Sequence, residues 1–411
     1  MKIQKFWNKI HRSAKNYLKK YFDTSNIDDP NKIYKNFLVP YLKFETSLYG
    51  YGLFNPDYKI NFLFGFVLVG VTFYMSINLI DIWLIWGDFQ RVCYCFVTWF
   101  FGWTSYFLAF KGISKKKQLC SMLNKIYEFG DGLKKETEKQ EIEKFLKHSM
   151  DCKKLFLFTT VVCSGGGLIC ILSPLPYYLY TGELFLPLGF FIPGLSTTAN
   201  PGYFVNCLYQ IYQVFLAVLA PMQTTFHSYL LFSSNAFFQV DNLIIKLRKL
   251  NSAIEANPNE EGHQESLNEL VKLHHRFQDF LNEVEDFYNK MFFVNIGSYA
   301  FMNVLILFVL VHKFWIVGYY GLVVLFGLIF LPCAIGTAIE VKNDSLINEI
   351  YCISWYSMIP KERKTYWMLF FGMQNTSMQT VGGLYPLNVE TFRAAYSTIY
   401  TYLMFMIDMQ K

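Results

Sequence analysis

Charge is scarce in this 411-residue chain: Asp, Glu, Lys and Arg make up 17% of it, against roughly a quarter in an ordinary soluble protein. Ordered chemistry is scarce too. No Gly-rich phosphate loop follows a strand and no nucleophile elbow is present. The nine Cys show no paired CxxC spacing, which excludes a zinc ribbon or a disulfide scaffold. These absences argue against an enzyme, a resident metal or any other cofactor. A net charge of +6 spread over several segments gives no nucleic-acid footprint. Present in abundance are apolar and aromatic residues, 53% and 19% of the chain, with 42 Phe and 29 Tyr. That inventory exceeds one water-soluble core and predicts an all-α polytopic membrane protein within a lipid bilayer.

A helix needs about 20 mainly apolar residues to cross a bilayer. Stretches of that kind recur at 60–83, 90–110, 154–180, 204–238, 291–312 and 314–339, and the last lies within 386–411. Seven transmembrane helices are therefore expected. The fourth is read as one long helix in which Pro221 is a tolerated kink. The region 365–389 also lacks charge, but Gln374, Asn375, Thr376, Ser377, Gln379, Thr380 and the Gly382-Gly383 pair would each need partners in lipid. It is read instead as the end of a helix over 344–374 at the inner face, followed by a bend over 376–386.

Orientation follows from the basic residues. Of 37 Lys and Arg, all but Arg91, Lys313, Arg393 and Lys411 fall within 1–59, 111–154, 241–290 and 340–386. Basic loops stay in the cytoplasm, so the N-terminus is expected inside and the C-terminus outside, the reverse of a G-protein-coupled receptor. The first 50 residues carry no apolar run with a small-residue cleavage site, so the first span is expected to serve as the targeting signal. The chain divides into a cytoplasmic segment 1–59 with re-entrant or amphipathic helices, spans one to six within 60–340, an anchor helix and bend over 341–385, and a final span over 386–411.

The inner segments are amphipathic. Leu267, Leu270, Leu273, Phe277, Phe280, Leu281, Val284 and Phe287 recur at three- and four-residue steps, one helical face. A similar pattern runs through 115–153, and another from Leu346 to Ile359, ending at Pro360. Such helices are expected to pack on one another or on neighbouring subunits. His274-His275 is read as a solvated pair, and His227 and His312 as core or interfacial. Reduced, packed thiols are expected for the Cys residues, with Cys93 or Cys95 meeting Cys207 as the alternative.

The outer halves of four spans gather aromatics with a few hydroxyls: Tyr94 and Trp99; Cys170, Ser173 and Tyr177; Tyr209 and Tyr212; Tyr319 and Tyr320. Gly166, in the Gly165-Gly166-Gly167 run, either lets helices approach closely or leaves room for a ligand. Together these suit a pocket for a small, mostly apolar molecule; a Trp/Tyr belt at the membrane interface is the competing reading. The last span opens with Asn388 as N-cap and Glu390 in its first turn. Glu390, Ser397 and Thr401, or Ser397, Thr401 and Asp408, share one helical face, the mark of an ion path. One helix encloses no pore, so several subunits are implied.

Gln374, Gly382-Gly383, Leu387, Phe392, Ala395-Tyr396-Ser397 and Thr401-Tyr402 reproduce in order and spacing the end motif of the insect odorant receptors, and the chain resembles that family over nearly its whole length. Gustatory receptors end in Thr-Tyr, five apolar residues, Gln and Phe; Thr401-Tyr402 and 403–407 match, whereas Asp408 and Met409 depart. The short 241–290 segment resembles a ligand-tuned subunit rather than the longer co-receptor. The resemblance implies a tetrameric pore lined by the last helix, formed with odorant receptor co-receptor subunits and passing cations when a small volatile binds. It implies a multi-pass protein of the plasma membrane in the dendrites of olfactory sensory neurons. By position Phe405 matches the family's hydrophobic gate, with Asp408 and Met409 beyond it. A gustatory-type channel and a seven-span receptor without its own pore are the alternatives.

Overall fold

The computed structural model describes residues 31–410 apart from 56, 58–60, 137–138, 183, 185, 187, 189, 198–200, 214–219, 258–262 and 377. The expected segment 1–59 therefore lies mostly outside the described residues. Its described part is a helix that passes through a π turn at Tyr34–Leu38 into α1, Val39–Leu48. Tyr34 and Leu38 are fully buried, with the Tyr34 ring 5.3 Å from that of Phe145.

Helices α2, Phe62–Leu84, and α3, Phe89–Ser114, follow the first two expected spans. Each start has a side-chain cap: Asn61 Oδ1 accepts from the Phe64 amide at 3.3 Å, and Asp88 Oδ1 from the Arg91 amide at 3.2 Å, satisfying donors that a helix start leaves open. Next come α4, Lys116–Glu136, α5, Lys139–Leu172, and α6, Pro174–Thr181. The third expected span runs through α5 and α6, which join at Ser173 in helical conformation. Pro174 and Pro176 lack the amides a continuous helix uses there.

The fourth expected span, read as one kinked helix, is helical on both sides of residues 214–219, which lie outside the described residues: α7, Gly202–Tyr212, precedes them and α8, Ala220–Ala256, follows. Helices α9, His263–His312, and α10, Ile316–Tyr351, contain the fifth and sixth. At about 1.5 Å per residue, the 50-residue α9 is more than twice as long as a roughly 30 Å hydrocarbon core. Half of it therefore projects beyond the membrane, and this half carries the Leu267–Phe287 apolar face, buried against its neighbours.

The single helix expected over 344–374 is interrupted. A 3-10 turn at Trp355–Ser357 separates α10 from α11, Pro360–Gln374. Pro360 opens α11 at its first position instead of closing a helix, because its fixed φ suits that position and its absent amide is not needed there. At 15 residues, α11 is too short to span a bilayer, so no eighth span forms. The bend is a small hairpin: β1, Thr380–Val381, pairs antiparallel with β2, Tyr385–Pro386, with Gly382 and Gly383 at positive φ. It leads into α12, Val389–Gln410.

Five helical stretches among the described residues are long and apolar enough to cross a membrane: α2, α3, α5 running on through α6, α9 and α10. In α12, Glu390, Arg393 and Asp408 with several Ser, Thr and Tyr dilute the helix below that measure. Large apolar side chains on the outside, including Phe62, Val69, Trp83, Phe158 and Val161, form the lipid-facing surface of a membrane protein. Among polar side chains, His274 departs from the expected solvated pair. It is buried where α9 meets α11, with Gly372 against its ring, while His275 is exposed. His227 is a satisfied core histidine, its Nδ1 3.0 Å from Glu45 and its Nε2 2.9 Å from Thr159.

Candidate functional site

Three helix pairs shape the upper bundle. Between α2 and α3, the Tyr74 hydroxyl donates to the Thr98 carbonyl and the Thr98 hydroxyl to Asn78 Oδ1, both at 2.6 Å. Between α5 and α10, the Tyr320 hydroxyl donates to the Val162 carbonyl at 2.7 Å. Between α5 and α8, the Gln223 amide donates to Thr160 Oγ1 at 3.2 Å. A cavity of about 100 Å3 lies among these helices, bordered by Tyr74, Val97, Thr98, Phe101, Cys163, Gly167, Leu188, Met222, Gln223, Trp315, Tyr320 and Leu328. Its hydroxyls are already committed to the walls. What remains facing the interior is hydrocarbon and ring, so the cavity favours a compact neutral molecule and penalises an unpaired charge.

Above it lies a larger cleft of about 990 Å3, bordered by Tyr94, Ser173, Tyr177, Tyr180, Phe191 and Trp315, with Arg91 at its edge. Trp315 borders both spaces, and the Tyr94 ring stands edge-on to it at 4.3 Å. Leu188 borders the cavity, and Leu184, Leu186, Phe191 and Leu195 border the cleft. Backbone groups here are held by polar side chains: Phe191 N donates to Asp81 at 2.9 Å, Ile192 N to Asn206 Oδ1 at 2.8 Å, and Leu188 N to Gln210 Oε1 at 3.2 Å, while Gln210 Nε2 returns a bond to the Phe190 carbonyl at 2.6 Å.

The residues selected from sequence are dispersed over this architecture. Tyr320 borders the cavity, and Tyr94, Ser173 and Tyr177 border the cleft. Gly166 is the place where the Tyr320 ring closes on α5, since a Cβ there would fall within the ring. Tyr209 and Tyr212 pack instead between α7 and α2, on Phe73 and Phe66. Trp99 stacks on Trp103 at 6.1 Å. Tyr319 is half exposed beside Phe314. The Cys170 side chain lies outside the described residues; Cys93, Cys95 and Cys207 are all unpaired. Phe101, Met222 and Leu328 were not selected, because an apolar side chain in an apolar span carries no signal of its own.

The last helix shows a second arrangement. Asn388 caps α12 as expected, accepting from the Thr391 amide at 3.1 Å. Phe392, Tyr396, Ile399 and Leu403 turn toward the bundle. Glu390, Ser397, Thr401, Phe405, Asp408 and Met409 are all exposed, with Phe405 at 60% and Met409 at 73%. Steps of three, four and seven residues put them on one uncovered face. Phe405 is therefore not a packing residue against the fifth and sixth spans.

The helix start is fixed by the hairpin. Glu285 on α9 accepts the Thr380 amide at 2.9 Å and also its hydroxyl. Gly382 N donates to the Asn289 carbonyl at 3.0 Å, and Tyr229 on α8 donates to Gln379. Gly336 on α10 leaves no space for a Cβ beside the Leu387 carbonyl. Deeper in the bundle, Asp241 on α8 joins three helices, 2.8 Å from His148 on α5 and paired with Lys342 on α10. Burial pushes its carboxyl up, but hydrogen bonds from His148 and Lys342 outweigh that and hold it at about 2.

Known proteins resemble this chain in sequence and in fold. The family model for the 7tm odorant receptor matches residues 88–400. The putative odorant receptor 83c of Drosophila melanogaster is 23% identical over 254 residues, covering 58% of this chain and 63% of its own length. Odorant receptor 10 of Aedes albopictus is 24% identical over 235 residues, covering 55% and 61%. The chain thus spans under two thirds of each relative. Among solved structures, the olfactory receptor OR5 of Machilis hrabei in complex with eugenol superposes with a TM-score of 0.75 at 15% identity, covering 92% of this chain and all of that one. The same receptor's other structure gives 0.73 at 16% identity, over 92% and 99%.

Proposed function

We propose, from the premise that this chain belongs to the 7tm odorant receptor family, that it is the odorant-tuned subunit of a ligand-gated, non-selective cation channel. It is a multi-pass membrane protein with a receptor's architecture and not an enzyme. In this reading a small neutral volatile occupies the cavity behind Trp315, and the uncovered face of α12 lines a central pore shared with co-receptor subunits. The N-terminus is inside the cell and the C-terminus outside, and the protein resides in sensory dendrites.

One observation carries the reading: a single chain both encloses an apolar cavity and leaves the polar, Phe405-bearing face of its last helix uncovered. An amphipathic face without a partner in its own chain is a subunit surface or a pore wall. Exposed Met368 and Phe371 on α11 supply further surface for neighbouring subunits at the other end. Eugenol, held by the Machilis receptor, is a neutral aromatic of the kind this cavity favours. The polar stripe of α12 also favours a channel over a pore-less receptor.

The test is current recording from cells expressing the chain with and without a co-receptor, across a panel of neutral volatiles, amines and amino acids. Odorant-evoked cation current that requires both chains is expected. Responses to ionised compounds above neutral volatiles would overturn the ligand class, and second-messenger signalling without current would overturn the pore. An epitope tag at Met1, reachable only after permeabilisation, checks the orientation.

A further inference from the structure

Gln223 is the exception on the cavity lining. It stands half-buried on α8, beside Met222, and its side chain is held at one end. Its Nε2 lies 3.2 Å from Thr160 Oγ1 on α5. Thr160 decides which way the amide faces. A hydroxyl has one proton to give and two lone pairs that accept. The Thr160 proton goes to the Phe156 carbonyl at 2.7 Å, so its oxygen is left to accept. Tyr41, 2.9 Å away on α1, is therefore the donor of that pair. Gln223 must likewise present Nε2, because its carbonyl would meet lone pairs.

The other end of the amide is Oε1. It has no donor among the described residues, and it is not one of the unpaired oxygens sealed inside the protein. A carbonyl oxygen left open on a lining of rings and hydrocarbon is fitted to accept from a guest. A hydrocarbon guest would cover it without pairing it, which is costly. A guest that places a hydroxyl at Oε1 avoids that loss. The bond into Oε1 and the bond from Nε2 also polarise each other, through Thr160 to Tyr41. Trp315, on the same lining, carries a donor, Nε1, that would favour the opposite guest, one with an acceptor; it borders the outer cleft as well.

We propose that Gln223 determines ligand chemistry: its Oε1 accepts a hydrogen bond from a ligand hydroxyl, so the cavity selects compact neutral phenols or alcohols over hydrocarbons and carbonyl compounds of the same shape. This rests on the reading of the cavity as the odorant site and narrows it, from a neutral molecule to one that carries a hydroxyl donor.

The probes are 4-methylphenol and 1,4-dimethylbenzene, because a hydroxyl and a methyl group are alike in size. On apolar contact alone the hydrocarbon is the better ligand. Current from cells expressing the chain with a co-receptor, and thermal unfolding of the full chain purified in detergent, should both favour the phenol by about tenfold or more in concentration. Gln223→Met keeps the length and removes the carbonyl. It should reverse the order, and a retained response to 1,4-dimethylbenzene marks an intact fold. Thr160→Val removes the acceptor that orients the amide, so Nε2 is free to turn inward. In that variant 4-methylbenzaldehyde, which offers only an acceptor, should draw level with the phenol or pass it. Trp315→Phe should keep the preference for the phenol. Either of the first two variants suffices if the other fails to fold. A wild-type preference for the hydrocarbon, or an order unchanged by these variants, overturns the assignment even where odorants evoke current. Phenol-selective stabilisation of the purified chain without any current would overturn the channel and leave Gln223 standing.

Discussion

The ring of Tyr320 lies directly against the backbone of Gly166, and its hydroxyl donates to the carbonyl of Val162 one turn earlier. The pair closes the α5 side of the cavity, because Gly166 has no side chain to hold the ring off. Gly166→Ala should force the ring away at a cost of about 1–3 kcal/mol, typical of overpacking, and abolish or shift the odorant response. Gly165→Ala, facing open space, should change little. Dose–response curves normalised to surface expression distinguish the two.

Phe405 and Asp408 make the second prediction. An exposed apolar ring at a constriction stops ions by dewetting, so Phe405→Ala should raise current in the absence of odorant. Asp408→Asn should lower cation conductance with odorant sensitivity nearly unchanged, because a carboxylate at the mouth of the proposed pore would enrich cations there. Both effects shrink if one subunit in the assembly carries the change. Single-channel recording with wild-type co-receptor measures them; a silent, poorly expressed Phe405→Ala channel contradicts the gate.

The third concerns the hairpin. Glu285→Ala removes the acceptor of both Thr380 bonds and should cost about 1–3 kcal/mol in docking the start of α12. Gly336→Ala should displace Leu387 from the other side. Each is expected to raise the odorant concentration needed for half-maximal current, with the cavity intact. An unchanged dose–response would show that the hairpin does not connect α9 and α10 to the pore helix.

The fourth is a pH dependence. Burial, with a smaller contribution from His275, lowers His274 to about 4. Between its ordinary value of about 6.5 and 4, the unfolded chain binds a proton that the folded chain refuses. Stability from this group is therefore complete above pH 6.5 and lost as pH falls toward 4, by at most about 3 kcal/mol. Unfolding of the purified protein over that range, compared with His274→Gln, isolates the contribution; equal slopes would refute it.

The spans, the amphipathic extension of α9 and the uncovered stripe of α12 were legible because each depends on a local period or a run length. The join at Ser173 and the restart at Pro360 were less so, since a Pro is compatible with a kink, an end or a beginning, and the surrounding packing chooses. His274 looked solvated beside His275 because adjacency says nothing about which side of a helix meets α11. The cavity was half legible. Aromatics mark the depth at which a pocket is built, but which rings border it depends on Gly166 and on apolar residues such as Met222 that look alike everywhere.

The bonds on Leu188, Phe191 and Ile192 bear on kinetics. Leu188 borders the cavity and Phe191 the cleft, and the amides of all three are tied to Gln210, Asp81 and Asn206. A ligand that entered past these residues would have to loosen those ties in both directions. Ties that re-form afterwards contribute nothing to the difference between bound and free states, yet slow arrival and departure alike. On that route affinity would be set by the rings around the cavity, and residence time by three polar side chains outside it.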